Sequence, residues 1–279
     1  SFQAEDGIRD VAVGLVGSEM CIRDSATGGK SYPATGSTGD GYAIAAGLGH
    51  TIVKPRQGLV PFDTEERFVR DLQGLSLDNV EVTVFSGGRK TASGFGDMLF
   101  THFGVSGPVI LTMSGQIADD LSAGKTVEIS IDLKPALTGE KLDRRLIREF
   151  AASGTKYFRT VMKNLLPNRL IPVFITRSGI APEKRCNQIT SAQRSSLAAH
   201  LKDFRLTVKR PRPFEEAIIT RGGIELKEID PRTMRSKLVG GLYFCGEVID
   251  IDGNTGGYNL QAAFSTAWLA AEACSDLKL

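Results

Sequence analysis

An apolar stretch that leads into a glycine-rich loop and then an alanine-rich helix constrains the fold of this chain most strongly. Leu242–Phe244 is typical of a strand, and residues 253–257 contain three glycines before a predicted helix over Asn259–Ala273. Small residues let such a helix pack closely on a sheet, and its free N–H groups favour a ligand with negative charge. The pattern predicts an α/β unit with a ligand-binding loop. A tight β-loop-α connection without a ligand is the alternative.

A second glycine-rich segment, residues 26–49, lies near the start of the sequence. Because the end of the chain resembles this beginning, we predict one domain that is split by insertions. The fold class is α/β, and α+β for the chain as a whole. The predicted segments are 26–50 and 236–279 for the split domain, 51–133 and 204–235 for a β insert, and 134–203 for a basic helical insert.

The two inserts differ in their hydrophobic patterns. Short β-like runs separated by Gly and Asn predict a small antiparallel sheet or barrel. They are Phe68–Leu72, Val80–Phe85, Val109–Leu111 and Val127–Ile131. Helical spacing of apolar residues begins at Leu142 and predicts further helices over Phe158–Leu166, Arg169–Ile175 and Ser191–Lys202.

Charge is distributed unevenly along the chain. The net charge is only +2, yet residues 134–213 hold 18 Lys and Arg against 5 Asp and Glu. Such asymmetry raises the possibility of an anionic partner, and Lys209–Pro213 is especially basic. Nucleic-acid binding also needs stacking aromatics on the same face, and few lie nearby. We therefore favour a solvated basic surface, with a nucleic-acid-associated protein as the alternative class.

Other classes are excluded by composition. No apolar run approaches 18 residues, so we expect no membrane span. Four cysteines without CxxC spacing and only three histidines argue against a zinc site or a disulfide framework, and we expect no metal. This cysteine usage predicts a cytoplasmic protein. The oligomeric state stays open.

Residues 1–25 look foreign to the rest of the sequence. They have neither the basic region nor the apolar core of a signal peptide. Two near-repeats, residues 7–10 (GIRD) and 21–24 (CIRD), occur within them. The stretch resembles translated sequencing-adapter DNA, so we exclude it from the fold prediction. A native strand and helix is the alternative.

Four ordered motifs resemble those of the BaiN-type bacterial flavoproteins, which are NAD(P)/FAD-dependent oxidoreductases. The strongest is Gly246-Glu247 followed by DIDGNTGGYNLQ over 250–261. The others are ATGGKSYP over 26–33 with TGSTGDGY over 35–42, LFTHFGVSGP over 99–108, and TRGGI over 220–224. The resemblance covers essentially all of 26–279.

The resemblance implies a Rossmann-like FAD domain, interrupted by a β-barrel-like insert that itself carries a helical insert. It implies transfer of hydride from NAD(P)H, a transient reductant, through FAD to a small organic substrate such as an unsaturated carbonyl compound. The strand–GxGxxG–helix that should cradle the pyrophosphate is absent from the sequence. We therefore expect the C-terminal part of such an enzyme, inactive in this truncated form. A non-functional fragment is a further alternative.

The resemblance also assigns site residues. Gly246 and Glu247 would meet the ribityl or ribose region of FAD. His102 is the candidate proton donor, with a structural histidine in a β-turn as the alternative. Substrate-side candidates are Ser106, Thr220 and Arg221. Gly257, Tyr258, Asn259 and Leu260 would lie at the isoalloxazine end, and Ala26, Thr27 and Gly28 would line the FAD cleft. The remaining cofactor candidates are Asp252 and Gly256.

Overall fold

Ten strands and seven helices build the part of the chain that the structure, a computed structural model, describes: residues 23–275. The strands are β1 (Arg23–Ser25), β2 (Ile52–Gly58), β3 (Phe62–Thr64), β4 (Ser76–Ser86), β5 (Arg89–Phe100), β6 (Gly104–Ser106), β7 (Val127–Asp132), β8 (Phe204–Pro211), β9 (Ile219–Ile224) and β10 (Leu242–Phe244). The α-helices are α1 (Asp40–Gly47), α2 (Pro108–Ser122), α3 (Gly139–Ala152), α4 (Phe158–Val161), α5 (Leu170–Ser178), α6 (Ser191–Lys202) and α7 (Gly256–Ser275).

Six strands close into a barrel in the order β3-β6-β5-β4-β7-β8. The alternation of buried and exposed side chains along β4 shows why its residues form a strand of the barrel. Val80, Val82 and Val84 are buried, whereas Glu81 and Thr83 between them are partly exposed. Successive side chains of a strand point to opposite faces, so this alternation fills the barrel interior from one face. The predicted barrel-like insert is thus confirmed as a closed barrel.

The helices α3 to α6 form an insertion between β7 and β8. They do not make a separate core, because their buried side chains belong to the same hydrophobic cluster as the barrel interior. Phe174 of α5, for example, stacks on Phe204 of β8 with ring centroids 6.3 Å apart. The helical insertion is therefore anchored to the outside of the barrel by shared apolar packing.

A second hydrophobic cluster joins the two ends of the chain. It combines α1, β10, the end of β9 and α7, with Ala45, Phe244, Ile249 and Ala270 among its buried residues. Here β1 pairs with β10 in parallel. A parallel pair followed by a helix agrees with an α/β unit, and a complete Rossmann sheet remains a prediction. β2 and β9 form a two-stranded antiparallel ribbon between the two clusters.

Strand β1 begins within the segment that the sequence analysis set aside. It ends at Ser25, whose carbonyl accepts a hydrogen bond from the backbone N–H of Cys245. The next four residues, 26–29, form a loop. The rest of the proposed adapter segment, residues 1–22, lies outside the described residues, so that interpretation remains a prediction.

Two predicted strands are wrong. Arg67–Leu72 is a 3₁₀ helix, and Val109–Leu111 lies in the first turns of α2. Gly107 and Pro108 start α2, because proline is preorganised for the first helical turn and its missing N–H needs no partner there. Three consecutive apolar residues carry no period, so they could not distinguish the two structures.

None of the helices within residues 23–275 has both the length and the apolar character that crossing a bilayer requires.

Candidate functional site

Glu247 lies directly after β10 and its carboxylate joins two other segments. Oε1 accepts a hydrogen bond from the backbone N–H of Thr220 at 2.8 Å. The backbone N–H of Gly29 also bonds this carboxylate. A β-carbon on Gly29 would overlap the carboxylate and the Thr220 side chain, so only glycine allows this approach. An ionised carboxylate has about four acceptor positions, so capacity remains for a ligand hydroxyl.

Thr220 is a buried connector at the same place. Its hydroxyl oxygen accepts hydrogen bonds from the backbone N–H groups of Lys30 at 2.7 Å and Ser31 at 3.1 Å. The side chain is only 1% exposed. The structure thus brings together Glu247, Thr220 and the loop after β1. The Thr220 hydroxyl is committed to that loop, and its substrate-side role remains a prediction.

The glycine-rich loop before α7 is closed by Asn259. Its side-chain Oδ1 accepts from the N–H of Gly253 at 3.0 Å, and its Nδ2 donates to the carbonyl oxygens of Gly253 and Thr255, both at 2.8 Å. All of these bonds lie within the loop. The backbone N–H of Asn259 also donates to the Thr255 carbonyl, at 3.4 Å, so both the side chain and the N–H of Asn259 shape the loop.

Gly246 and Gly256 leave room for a cofactor to approach the backbone. A β-carbon built on Gly246 or Gly256 would meet no atom within 4 Å. On α7, Tyr258 and Leu260 are 69% and 61% exposed. An open glycine surface at a helix N-terminus, next to a carboxylate with spare acceptor capacity, fits FAD in chemistry and in access. The candidates Gly257 and Tyr258 lie in the first turn of this helix.

The first cofactor candidates follow β1. Ala26 and Thr27 are exposed and Gly28 has a positive φ of 71°. The Thr27 side chain packs where a β-carbon on Gly41 would be, so it contacts the start of α1. Because β1 and β10 are parallel, these three residues follow the same end of the strand pair as Glu247 does, in the loop that Thr220 and Glu247 hold.

Arg221 connects the loop to the barrel. Its Nε lies 3.2 Å from Asp252 Oδ2, and its Nη1 lies 3.2 Å from Asp119 of α2. Asp119 also pairs with Arg56 at 2.7 Å, and Arg56 faces Arg221 across the β2–β9 ribbon. One carboxylate therefore neutralises two arginines that would otherwise repel each other. The sequence analysis predicted Arg221 and Asp252 but missed Asp119.

A cavity of about 390 Å³ opens between α2 and the glycine-rich loop. Gln116, Asp119 and Arg221 line its polar side, and Asp252 and Asn254 border it from the loop. Leu59, Leu111 and Ile219 are among its apolar lining residues, and convergent polar groups of this kind fix the orientation of a ligand. Since this cavity adjoins the predicted isoalloxazine end, it is the best candidate for a substrate pocket.

His102 and Ser106 lie on the barrel. His102 is exposed in the turn between β5 and β6, and its ring packs edge-on against Phe103 at 5.0 Å. Ser106 ends β6 and is partly exposed. Among the described residues, no hydrogen bond or ring contact joins His102 to Glu247 or Arg221. Its role as a proton donor remains a prediction.

Two further groups beside Glu247 escaped the sequence analysis. Tyr42 of α1 donates a hydrogen bond from its hydroxyl to the Glu247 carbonyl at 3.4 Å, and burial raises the pKa of this phenol. Burial likewise raises the pKa of Asp250, with the nearby charges of Asp252 and Glu225 acting in the same direction. The site thus concentrates acidic groups in a partly desolvated region.

We expect stability to depend on pH through Glu247. Burial raises the pKa of this carboxyl above its ordinary 4.5, although the N–H groups of Thr220 and Gly29 oppose the rise. Because the folded-state pKa is raised, the stabilisation that Glu247 contributes is fully present below pH 4.5 and is lost as pH rises through the folded pKa. Glu247→Gln should therefore lose less free energy of unfolding from pH 4.5 to 7.5 than the wild type. Urea unfolding at four pH values measures this difference.

The difference in slope isolates Glu247, because Asp250 and all other carboxyls titrate in both proteins. Glutamine lowers absolute stability since its amide nitrogen would face N–H donors, and only the slopes are compared. Parallel stability curves for the two proteins would contradict the prediction.

Comparison with known proteins identifies a family model that this chain matches. Residues 56–219 match the family model described as HI0933-like protein barrel and H2TH domain. These residues contain the whole barrel and the helical insertion.

Curated relatives extend the similarity to the rest of the chain. The chain is 34% identical over 248 residues to the ribosomal RNA dihydrouridine synthase of Haemophilus influenzae, covering 88% of this chain and 58% of that protein. The Escherichia coli protein of the same name is 32% identical over 260 residues, covering 92% and 61%. A 3-dehydro-bile acid delta(4,6)-reductase of Clostridium scindens is 29% identical over 251 residues, covering 90% and 61%.

The chain spans about three fifths of the length of these relatives. The family match covers more than half of the chain and includes the closed barrel that the structure contains. The protein therefore belongs to the HI0933-like family.

Proposed function

We propose that the protein is an FAD-dependent reductase that saturates a carbon–carbon double bond conjugated to a carbonyl, and that its substrate is uridine within RNA. The observation that carries the proposal is the cavity between α2 and the glycine-rich loop, where Arg221 and Asp119 meet Asp252. This cavity gives a planar substrate access to the region predicted for the flavin ring.

The names of the relatives support one reaction type. Dihydrouridine is uridine whose C5–C6 bond has gained two hydrogens, and a delta(4,6)-reductase also removes double bonds. In an alkene conjugated to a carbonyl, hydride adds to the β-carbon and a proton adds to the α-carbon. An unsaturated carbonyl substrate is also what the resemblance to flavoproteins implies.

The residues of this chain would bind the cofactor, orient the substrate and shield the site of reduction. Glu247, held by Thr220 and Gly29, would accept hydrogen bonds from cofactor hydroxyls, and the N–H groups at the start of α7 would face developing negative charge. Bound FAD would supply the hydride that NAD(P)H provides. The Arg221–Asp119 pair would fix the cavity wall and orient a carbonyl oxygen.

Charge favours RNA over a steroid as the substrate. Residues 134–213 have a net charge of +13, and this segment includes the whole helical insertion. A bile acid carries a single carboxylate and needs no such surface, whereas each RNA phosphate contact is stabilised by a cation. Our proposal thus departs from the expectation of a merely solvated basic surface.

Two measurements test the proposal in sequence. First, FAD is titrated into the full chain, and binding is followed by flavin fluorescence. Our proposal departs here from the expectation of an inactive chain, since it assigns reduction to the chain once FAD is bound. The loaded protein is then incubated anaerobically with NADH or NADPH and transcribed ribosomal RNA, and nucleosides are analysed by mass spectrometry for a gain of two hydrogens. A parallel reaction contains a 3-oxo-Δ4 steroid. Failure to bind FAD would overturn the flavin assignment, and reduction of the steroid alone would overturn the RNA assignment.

His102 gives a separate prediction. If it donates the proton to the α-carbon, His102→Gln should lower kcat by about 100-fold or more, since positioned acids contribute 10²–10⁴-fold. KM should change little because the side chain is exposed and its ring contacts only that of the adjacent Phe103 among the described aromatic rings. Steady-state reduction assays measure both constants. His200→Gln is the matched control, because His200 lies on α6 in the helical insertion. Equal kcat values for His102→Gln and the control would exclude the role.

A further inference from the structure

Tyr157, just before α4, presents an exposed aromatic ring beside two guanidinium groups. The residue is 41% exposed. The guanidinium carbon of Arg159 lies 5.8 Å from the ring centroid, and that of Arg185 lies 5.6 Å from it. Both distances are in the range of cation–π contact. Each guanidinium lies over the ring, so the ring and the two guanidinium groups form one cationic stack at the surface. Nucleobases stack on aromatic rings and on guanidinium planes, and the positive charge neutralises their phosphates.

The backbone holds this ring in place. Tyr157 and Arg185 form an antiparallel bridge. On either side of it, the N–H of Phe158 donates to the carbonyl of Lys184 at 2.8 Å, and the N–H of Cys186 donates to that of Lys156 at 3.1 Å. Phe158 and Cys186 are buried, which fixes the inner side of this short ribbon. The ring therefore needs little ordering when a ligand binds.

A groove of about 990 Å³ adjoins the ring. Its floor is apolar, with Ile171, Ile175 and Ile180, and its rim carries Arg159 and Lys163. Arg159 contacts both the ring and the groove, so the two features form one continuous surface. A base stacked on Tyr157 would thus be followed by a neighbour that lies over apolar side chains.

Further basic side chains lie on α3, next to this groove. Arg145 donates to the carbonyl of Asn164 at 3.2 Å, so α3 lies next to the residue that follows Lys163. The outward side of α3 adds Lys141, Arg144 and Arg148 around a second shallow groove. We call the surface formed by Tyr157, Arg159, Lys163, Arg185 and the α3 cations the tyrosine surface.

Other basic residues within 134–213 form ion pairs with carboxylates of the barrel. Arg205 pairs with Glu128 at 3.0 Å, and Arg212 pairs with Asp63 at 3.1 Å. On the tyrosine surface, by contrast, Lys163 and Arg185 have no carboxylate within salt-bridge distance in the described part of the chain. Arg159 has Glu183 at 3.6 Å and Arg144 has Glu140 at 3.3 Å, and all four side chains are more than half exposed. The excess positive charge is therefore available to a polyanion.

We infer that the tyrosine surface binds a single-stranded segment of RNA, with one base stacked on Tyr157 and the flanking phosphates at Arg159 and Arg185. The inference rests on the proposed function, because it names the part of the protein that holds the RNA substrate away from the reduction site. A duplex would present paired bases that cannot reach the ring, so unpaired nucleotides are required.

The test measures binding of a fluorescein-labelled 12-nucleotide single-stranded RNA to the full chain by anisotropy at several salt concentrations. Tyr157→Ala should weaken binding about ten-fold, which is within the range for loss of one base stack. Tyr157→Phe keeps the ring and should bind like the wild type. Phe95→Ala removes an exposed aromatic from the barrel and should have no effect. Arg159→Gln combined with Arg185→Gln should reduce the slope of log Kd against log salt by about 1.4.

The outcomes separate this inference from the proposed function. Unchanged binding by Tyr157→Ala, or preference for duplex over single strand, would overturn the tyrosine surface even if dihydrouridine forms. Binding that depends on Tyr157 but yields no dihydrouridine would support the surface and contradict the proposed reaction. Thermal unfolding of each variant confirms that the fold is kept, and Tyr157→Phe distinguishes loss of stacking from loss of structure.

Discussion

Replacement of Gly104 by alanine should lower the free energy of unfolding by roughly 3 kcal/mol or more, the range for severe overpacking. Gly104 in β6 faces Asp63 in β3. A β-carbon on it would overlap the carbonyl oxygen of Phe62 and lie 2.8 Å from the amide nitrogen of Thr64. These are backbone atoms of β3, which pairs with both β6 and β8 and so closes the barrel. Urea unfolding measures the loss.

Gly47→Ala is the matched control. Gly47 is the last residue of α1, its φ is not positive, and a β-carbon there would meet no atom within 4 Å. Alanine in a helix is favoured over glycine by about 0.5–1 kcal/mol, so this variant should be neutral or slightly more stable. An unfolding midpoint of Gly104→Ala equal to that of the control would show that β3 and β6 are not held as closely as the structure has them.

The barrel could be predicted because its strands alternate. Val80, Val82 and Val84 mark one face of β4 in the sequence itself, and the same holds for Val127, Ile129 and Ile131 in β7. Period-two alternation is a local signal that tertiary packing then uses directly. Closure of the barrel is different, because the pairing of β3 with β8 joins residues about 150 positions apart and leaves no local trace.

The helix α2 shows what a longer window would have found. The predicted strand Val109–Leu111 rests on three adjacent apolar residues. Ile110, Met113 and Ile117 recur at helical spacing behind Gly107-Pro108, and all three are buried. The helix was therefore visible in the sequence, provided that the start signal and the spacing were considered together.

The candidate site also combines residues that the sequence predicts with residues that only the tertiary structure identifies. Glu247 and Arg221 follow recognisable motifs, so the sequence predicts them and the structure brings each to a defined partner. Asp119 carries no motif and lies 102 residues before Arg221. Its importance comes only from the approach of α2 to the β2–β9 ribbon, which is a tertiary event. Tyr157 was likewise counted among the scattered aromatics near the basic segment, because the residues that make it a binding surface come from two separate turns.

Replacement of Gly223 by alanine should weaken FAD binding about 100-fold and leave the barrel intact. Gly223 has a φ of 143°, and a β-carbon on it would lie 2.5 Å from the carbonyl oxygen of Val248 and 2.9 Å from the carbonyl carbon of Ile249. Relief of this overlap must push the end of β9 away from the segment that follows Glu247. The bond from the Asp250 N–H to the Ile224 carbonyl, 3.1 Å long, would be stretched with it.

The expected 100-fold loss of FAD binding follows from the position at which the strain of Gly223→Ala is released. The glycine-rich loop is continuous with the displaced segment, so binding must restore its position against an overlap of about 3 kcal/mol. Since 1.4 kcal/mol corresponds to a ten-fold change in Kd, the expected loss is about two orders of magnitude. Titration of FAD into the variant, followed by flavin fluorescence, measures it. The free energy of unfolding of the barrel, measured by urea denaturation, should fall less in Gly223→Ala than in Gly104→Ala. The reason is that Gly223 packs against the other hydrophobic cluster.

Gly240→Ala provides the comparison for the site. Gly240 lies just before β10, its φ is not positive, and a β-carbon there would come no nearer than 3.9 Å to the Arg235 side chain. This variant should bind FAD like the wild type, since surface substitutions of this kind usually change stability by no more than 0.5 kcal/mol. A Kd for Gly223→Ala within three-fold of this control would mean that FAD does not depend on the loop after Glu247. The cofactor would then have to bind elsewhere than at the glycine surface of α7.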